Sequence, residues 1–251
     1  MSCFKNNLLF MQYRTRGVVL HSRNYSETSA VVKVYTELFG QQTYLLRGVH
    51  GKRSAVKIAI LQPLSTVDML VHHRETRELQ RASEVIASPA FETIPFDIRK
   101  ASIAIFISEV LIRSVREEES NKDLFEFLCS FIRLLDHQET HIANLHLYFL
   151  IVLSRYLGFY PHGEYGDNTS FFNLAEGKFQ GTEPLHPHYL SPALSGYLDR
   201  LVKCSAGELA ELQIPAEQRR ELLAKLLEFY ELHIPGFKGI KSHLVLEQVM
   251  G

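Results

Sequence analysis

Cysteine is scarce. Cys3, Cys129 and Cys204 are the only three, and they lie far apart. Without a CxxC pair, a four-thiolate zinc site within one chain is excluded. An odd, low count suits reduced thiols better than a secreted disulfide scaffold. Long hydrophobic runs are missing too. The longest, Leu147 to Leu153, is far short of the roughly 20 residues that cross a bilayer. Leu8 to Met11 is too short for a signal-peptide core. A cytoplasmic protein with no membrane partner is expected. Residues 1–14 are expected to be an N-terminal extension, and Met11 could be the natural start with the first ten residues unstructured, because ordered-looking sequence begins near Thr15.

Catalytic signatures are also absent. No GxxxxGK[ST] loop occurs, and no GxGxxG follows a strand. The stretch Gly48 to Ser54 has the wrong spacing for a phosphate loop and reads as a turn presenting basic side chains. No GxSxG and no HExxH is found. Glu117, Glu118 and Glu119 form a solvated run after a helix rather than a carboxylate dyad. Twelve histidines raise the question of metal. His72 and His73 are adjacent, so on a strand they point to opposite faces. His186 and His188 could share a side, but no carboxylate partner with ligand spacing accompanies them. A non-enzymatic protein with no cofactor and no metal is expected. A metal-dependent hydrolase using His186 and His188 stays as a rival.

What is present is a division of charge. The net charge is −1, yet residues 1–81 hold 12 Lys and Arg against 5 Asp and Glu, leaving 15 against 23 in the remainder. A basic segment joined to an acidic one suggests two domains with different partners. The basic one either attracts phosphates through counterion release or binds nothing.

The periods divide at the same place. Val32, Val34 and Thr36 alternate with Val31, Lys33 and Tyr35, and Thr43, Leu45 and Arg47 alternate with Tyr44, Leu46 and Gly48. A period of two marks strands with distinct faces. With residues 15–23, 64–71 and 75–82, five strands are expected, separated by turn residues at 24–27, 39–42 and 48–53. Five short antiparallel strands in under 80 residues fit a small barrel, for which the OB-fold is the natural candidate, although an SH3-like barrel has a similar pattern. After the two prolines of residues 88–97, apolar residues recur at helical spacing. Helices are expected over 97–115, capped by Asp97, over 122–137 after Asn121, and over 141–159, ended by Gly158. The third is apolar nearly all round, as a central buried helix is. Residues 160–190 are rich in Gly, Pro and Asn, with one hairpin, 170–174 against 178–180. Helical patterns return over 191–204, 215–233 and 239–249. The expectation is an α+β chain: a barrel over 15–85, then a helical domain over 86–251 with an inserted loop at 160–190.

One combination suggests binding. From 35 to 57 aromatic, apolar and basic residues alternate with no acid after Glu37. Single-stranded nucleic acid needs cations along phosphates and aromatic faces for bases. Arg16, Arg23, Lys33, Arg47, Lys52, Arg53 and Lys57 are the candidate cations, and Tyr35 and Tyr44 the candidate stackers, provided they face outward. Core positions remain open for Phe39 and Tyr44, and a solvated turn for Lys52 and Arg53.

The stretches RGVVLHSRNYSETSAVVKVYTELFGQQTYLLRGV, GKRS and LQPLSTVDM, followed by SRYLGFYPH and FYELHIPGFKGIKSHLVLEQV, resemble the RecO family of recombination mediators. The resemblance runs over nearly the whole chain from Thr15. It implies an OB-fold that binds single- and double-stranded DNA and promotes annealing. It implies partnership with RecR, and docking of the acidic, Phe-ended tail of the single-stranded-DNA-binding protein on the helical domain. Together these load RecA onto coated strands, so the protein would join the nucleoid during repair. Arg133, Arg155 and Lys203 are the candidate tail-binding cations by helix position. Many members carry a four-cysteine zinc site in the loop after the third helix. Here that loop has no cysteine, so packing of Phe171, Phe172 and Phe179 must hold it. An interaction scaffold that uses the barrel without touching DNA is the alternative.

Overall fold

The computed structural model describes residues 12–49, 58–115 and 119–250. The chain divides into two compact units, residues 1–90 with 117–125, and residues 91–116 with 126–251.

The first unit is a closed barrel of five strands, β1 (Gln12–Ser26), β2 (Ser29–Thr36), β3 (Gly40–Arg47), β4 (Thr66–His72) and β5 (Leu79–Ala87). Their order is β1-β2-β3-β5-β4. Closure depends on the long first strand. Gln12–Val18 pairs with β4 and Gly17–Ser26 with β2, so β1 serves both sheet edges. β3 and β5 are parallel while every other pair is antiparallel. This order is the OB-fold, one of the two barrels the alternation allowed. At the crossing point β1 needs Gly17, because a Cβ there would lie 2.6 Å from Val34 Cγ1. The inner face carries Val19, Val32, Val34, Tyr44, Leu46, Val67, Met69, Val71 and Val85.

The fifth strand differs from expectation. Residues 73–78 form a loop, and β5 starts at Leu79. Buried Gln80 explains the displacement. Its amide accepts from Arg74 N at 2.9 Å and donates to Arg74 O at 2.7 Å and Arg77 O at 2.6 Å. These bonds replace the ladder that 75–78 would otherwise form.

The second unit is helical. α1 (Ile98–Ser114) is capped by Asp97, whose Oδ1 accepts from Arg99 N. α2 (Lys122–His137) begins in the first unit, where Asn121 Oδ1 accepts from Leu124 N. α3 (Leu145–Tyr156) follows a short 3-10 turn at Ile142–Asn144 and ends at Gly158, with φ 85°. Leu147, Phe149, Leu150, Ile151 and Leu153 of α3 are buried, as its all-round apolar sequence requires. α4 (Pro192–Lys203), α5 (Ala216–His233) and α6 (Ser242–Met250) complete the unit.

The 160–190 segment holds the expected hairpin as β6 (Phe171–Asn173) and β7 (Lys178–Gln180), with an additional β8 (Tyr189–Leu190) on the other side of β6. Phe172 and Phe179 are buried edge to face at 4.9 Å, and Phe172 meets Phe229 of α5 at 5.7 Å. Phe171 sits against Tyr189 at 5.9 Å. Aromatic packing holds the loop.

α3 also buries His146 at 2% exposure. Its ring lies edge-on to Phe106 at 6.2 Å and its Nδ1 has no partner among the described residues. Burial, with the nearby Arg219 charge adding to it, pushes the imidazole down to about 3. The native state therefore holds His146 neutral, while the unfolded chain protonates it near 6.5. Its contribution is whole above pH 6.5 and is lost as pH falls toward 3. A loss of about 2 kcal/mol is expected between pH 7 and pH 5 from this group. Urea unfolding at the two pH values should show that loss, and His146→Leu should remove it.

Candidate nucleic-acid interface

The barrel's outer face follows from the pleat. Side chains opposite Val32, Val34 and Tyr44 point away from the core. On β2 these are Ser29, Val31, Lys33 and Tyr35. Register then carries the outer row across the sheet. Arg23, Val31, Leu45 and Arg81 stand on one rung, and His21, Lys33, Thr43 and Leu79 on the next. Arg47 closes a third rung beside Ser29. Arg23, Arg47 and Arg81 are exposed, and Lys33 is half-buried. Four cations thus share the face built by β1, β2, β3 and β5. Of these, Arg81 was not among the candidates drawn from the sequence.

The candidate stackers fare differently. Tyr44 is wholly buried in the barrel core opposite Val32, so it cannot stack on a base. Burial raises its phenol well above the ordinary tyrosine value. Tyr35 is on the outer face but is 1% exposed, because Phe125 from the first turn of α2 covers it, with ring centroids 6.4 Å apart. Both stacking assignments are corrected on these grounds. Among the described barrel residues an exposed ring is offered by Tyr25, at 66%, near the end of β1.

Arg16 is also committed elsewhere. Its Nε and Nη2 donate to the two carboxylate oxygens of Glu37 at 2.9 and 2.8 Å, and its guanidinium lies 5.0 Å from the Phe125 ring centre. The Arg16 hydrogen bond holds the Glu37 carboxyl below its ordinary value. A phosphate would have to compete with that fork. Lys52, Arg53 and Lys57 lie outside the described residues.

Beyond the row, the β4–β5 loop contributes a cavity of about 290 Å³ lined by His72, Arg74, Arg77, Leu79, Gln80 and Arg81. The guanidiniums of Arg77 and Arg81 have no hydrogen bond or ion pair among the described residues. In the sequence this site is the stretch Arg74-Glu75-Thr76-Arg77, at the start of the residues expected to form the fifth strand.

In the helical unit, Arg155 lies over the Tyr160 ring at 4.4 Å, and Tyr160 donates to Val202 O, next to Lys203. Lys203 is paired with Asp199 at 2.8 Å. Arg133 is exposed on α2, with Nη2 3.3 Å from Ser130 Oγ. A groove of about 460 Å³ lies elsewhere in this unit, lined by His141, Tyr197, Leu212, Ile214, Pro215 and Arg219 among others. None of the three candidate tail cations lines it. His188 Nδ1 is 2.6 Å from Glu228 Oε1, and Lys225 Nζ is 2.8 Å from Glu228 Oε2. That carboxylate is therefore engaged by a lysine and one imidazole. No group of three or more His, Cys, Asp and Glu side chains able to hold a metal ion occurs among the described residues.

Comparison with known proteins decides the family. Residues 11–89 match the N-terminal model of recombination protein O, and residues 95–242 match the C-terminal one. The chain belongs to the RecO family. The DNA repair protein RecO of Phocaeicola vulgatus is 34% identical over 239 residues, spanning 95% of this chain and 99% of its own. That of Bacteroides fragilis is 35% identical over 240 residues with the same coverage, and that of Flavobacterium johnsoniae is 35% identical over 247 residues, covering 95% and 99%. The four-cysteine zinc site of many RecO proteins does not fit these residues. The loop has no thiolate to offer, and Cys204 follows α4 while Cys129 is on α2. No described helix is long and apolar enough to cross a membrane.

Proposed function

We propose that this RecO-family chain is a non-enzymatic recombination mediator that binds single- and double-stranded DNA through the barrel and promotes annealing. With RecR it helps load RecA onto strands coated by single-stranded-DNA-binding protein, in the cytoplasm at the nucleoid. The observation that carries the reading is the outer row of Arg23, Lys33, Arg47 and Arg81 on the face of β1, β2, β3 and β5. The β2–β3 face and the flanking loops of an OB-fold are where oligonucleotides bind. Backbone contacts of this kind carry no base information, so sequence preference should be weak. Arg16, Lys52, Arg53 and Lys57 would extend the phosphate track, with Arg16 exchanging Glu37 for phosphate.

The partner tail is acidic and ends in Phe, so it needs an apolar groove with a cation at hand. The groove lined by Tyr197, Leu212, Ile214, Pro215 and Arg219 offers that chemistry. Arg155 with Tyr160, Lys203 and Arg133 form the second candidate surface.

Fluorescence anisotropy with labelled single-stranded DNA, and in parallel with a labelled acidic peptide ending in Phe, tests both contacts over one salt series. Submicromolar DNA binding with a steep negative log–log slope is expected. Peptide binding should fall with Tyr197→Ala if the groove is used, and with Arg133→Ala, Arg155→Ala and Lys203→Ala combined if the second surface is. Absence of DNA binding at low salt would favour a scaffold that meets proteins alone.

A further inference from the structure

The β4–β5 cavity differs from the rest of the basic face. The row on β1, β2 and β3 is an open surface of point charges, whereas residues 72–81 line a half-open cavity of about 290 Å³. That is at the lower edge of the roughly 300–1,000 Å³ typical of small-ligand pockets. It is roomy for a bare phosphate group and too small for a base pair. Its walls are of two kinds. Arg77 and Arg81 bring guanidiniums that are free of hydrogen bonds and ion pairs among the described residues. Leu79, 42% exposed, brings an apolar side chain, and His72 a ring.

The loop is built before any ligand arrives. Gln80 is 2% exposed and makes all three of its side-chain bonds to the loop backbone, to Arg74 N, Arg74 O and Arg77 O. A further turn bond joins Arg77 N to Arg74 O at 3.1 Å. A buried amide spent wholly on shaping one loop sets the positions from which Arg74 and Arg77 project. Preorganisation of this kind lowers the ordering cost of binding.

We infer that this cavity receives one unpaired nucleotide, its phosphate on Arg77 and Arg81 and its base against Leu79, His72 and a guanidinium plane. The inference rests on the DNA-binding reading and deepens it. Guanidinium planes and imidazole rings stack on unpaired bases, and an apolar side chain covers the remaining edge. In a duplex the same base is held in the stack, and extracting it costs a few kcal/mol. The cavity therefore favours single strands over duplex, while the open row of Arg23, Lys33 and Arg47 treats them alike. An annealing protein with both features would hold each strand by its phosphates and give up the cavity-bound base as pairing proceeds.

The test keeps the charge and removes the plane. Arg77→Lys, at an exposed position outside the row, retains the cation but loses the flat, fork-shaped group. Affinities for a labelled single strand and for a duplex of the same length are measured by anisotropy against the wild-type chain, at one low salt concentration. The expected result is about tenfold weaker single-strand binding with duplex binding within twofold. Free dAMP should compete with the single strand on the wild-type chain and not on the variant. Equal single-strand affinity in the two proteins would overturn the inference and leave the DNA reading standing. Equal loss on single strand and duplex would also overturn it, since the cavity would then be reading phosphates alone. A wild-type chain that binds neither DNA at low salt would overturn the DNA reading, and the inference with it.

Discussion

Asp136→Ala should cost the helical unit about 3–5 kcal/mol, the range for breaking a buried charged hydrogen-bond network. Asp136 is 5% exposed near the end of α2. Its Oδ2 accepts from Glu92 N at 2.8 Å, and its Oδ1 from Thr93 N and Ile94 N, both at 2.9 Å. One carboxylate thus satisfies three successive backbone donors of the segment leading into α1. Around it, Lys100 is 2% exposed and donates from Nζ to Asp136 O at 2.7 Å and to Thr93 Oγ1 at 2.6 Å. Alanine would leave three N–H groups without their acceptor. Asparagine keeps one oxygen, so it should lose less. Urea unfolding measures both, and a cost below about 1 kcal/mol for alanine would contradict the arrangement.

The same carboxylate sets an acid limit. Burial raises the pKa of Asp136, but the bonds from Glu92, Thr93 and Ile94 outweigh it, so the net shift is downward from 3.8. A group depressed in the native state contributes fully above its unfolded value and loses that contribution as pH falls through the native one. Asp136 therefore stabilises the unit in full above about pH 4, and its share disappears only in stronger acid. His146 acts earlier, below pH 6.5, so acid destabilisation should come in two stages.

The barrel could be read from the sequence because its signal is local. Period-two alternation and turn residues fix five strands within 80 residues, and the OB order follows once β1 is long enough to pair twice. The helices were legible for the same reason, down to Asp97, Asn121 and Gly158 at their ends. The site was legible only in part. Tyr44 and Arg47 are three residues apart on one strand, so the pleat puts them on opposite faces. An exposed Arg47 thus implies a buried Tyr44, a relation that strand parity alone supplies. Tyr35 and Lys33 do share a face, and parity gave no warning about Tyr35. What hides it is Phe125, ninety residues later, and contacts that distant leave no trace in periodicity. The Arg77 and Arg81 cavity escaped notice because the pattern of 75–82 has only Leu79 and Ala82 as apolar residues. It describes a loop shaped by Gln80 as well as it describes a strand.

Replacing Arg23, Lys33, Arg47 and Arg81 together with alanine should reduce single-strand affinity about a thousandfold at about 50 mM salt. The estimate counts one phosphate per cation. Each contact releases about 0.7 of a counterion from a single strand, so the log–log salt slope should also become shallower by about 3. The two changes must occur together. A fall in affinity with an unchanged slope would mean that the variant had lost shape rather than charge. Shape should survive, since Arg23, Arg47 and Arg81 are exposed and the core beneath them, from Val19 to Val85, is untouched. Thermal unfolding should accordingly stay within a few degrees of the parent chain. Arg16→Ala provides the contrast. Its guanidinium already holds both oxygens of Glu37, so removing it should weaken DNA binding by less than any one member of the row. If Arg16→Ala instead proved the more damaging change, the phosphate track would run along the β1–β4 side of the barrel, with Arg14 beside it. The row on β2 and β3 would then be a solvated face.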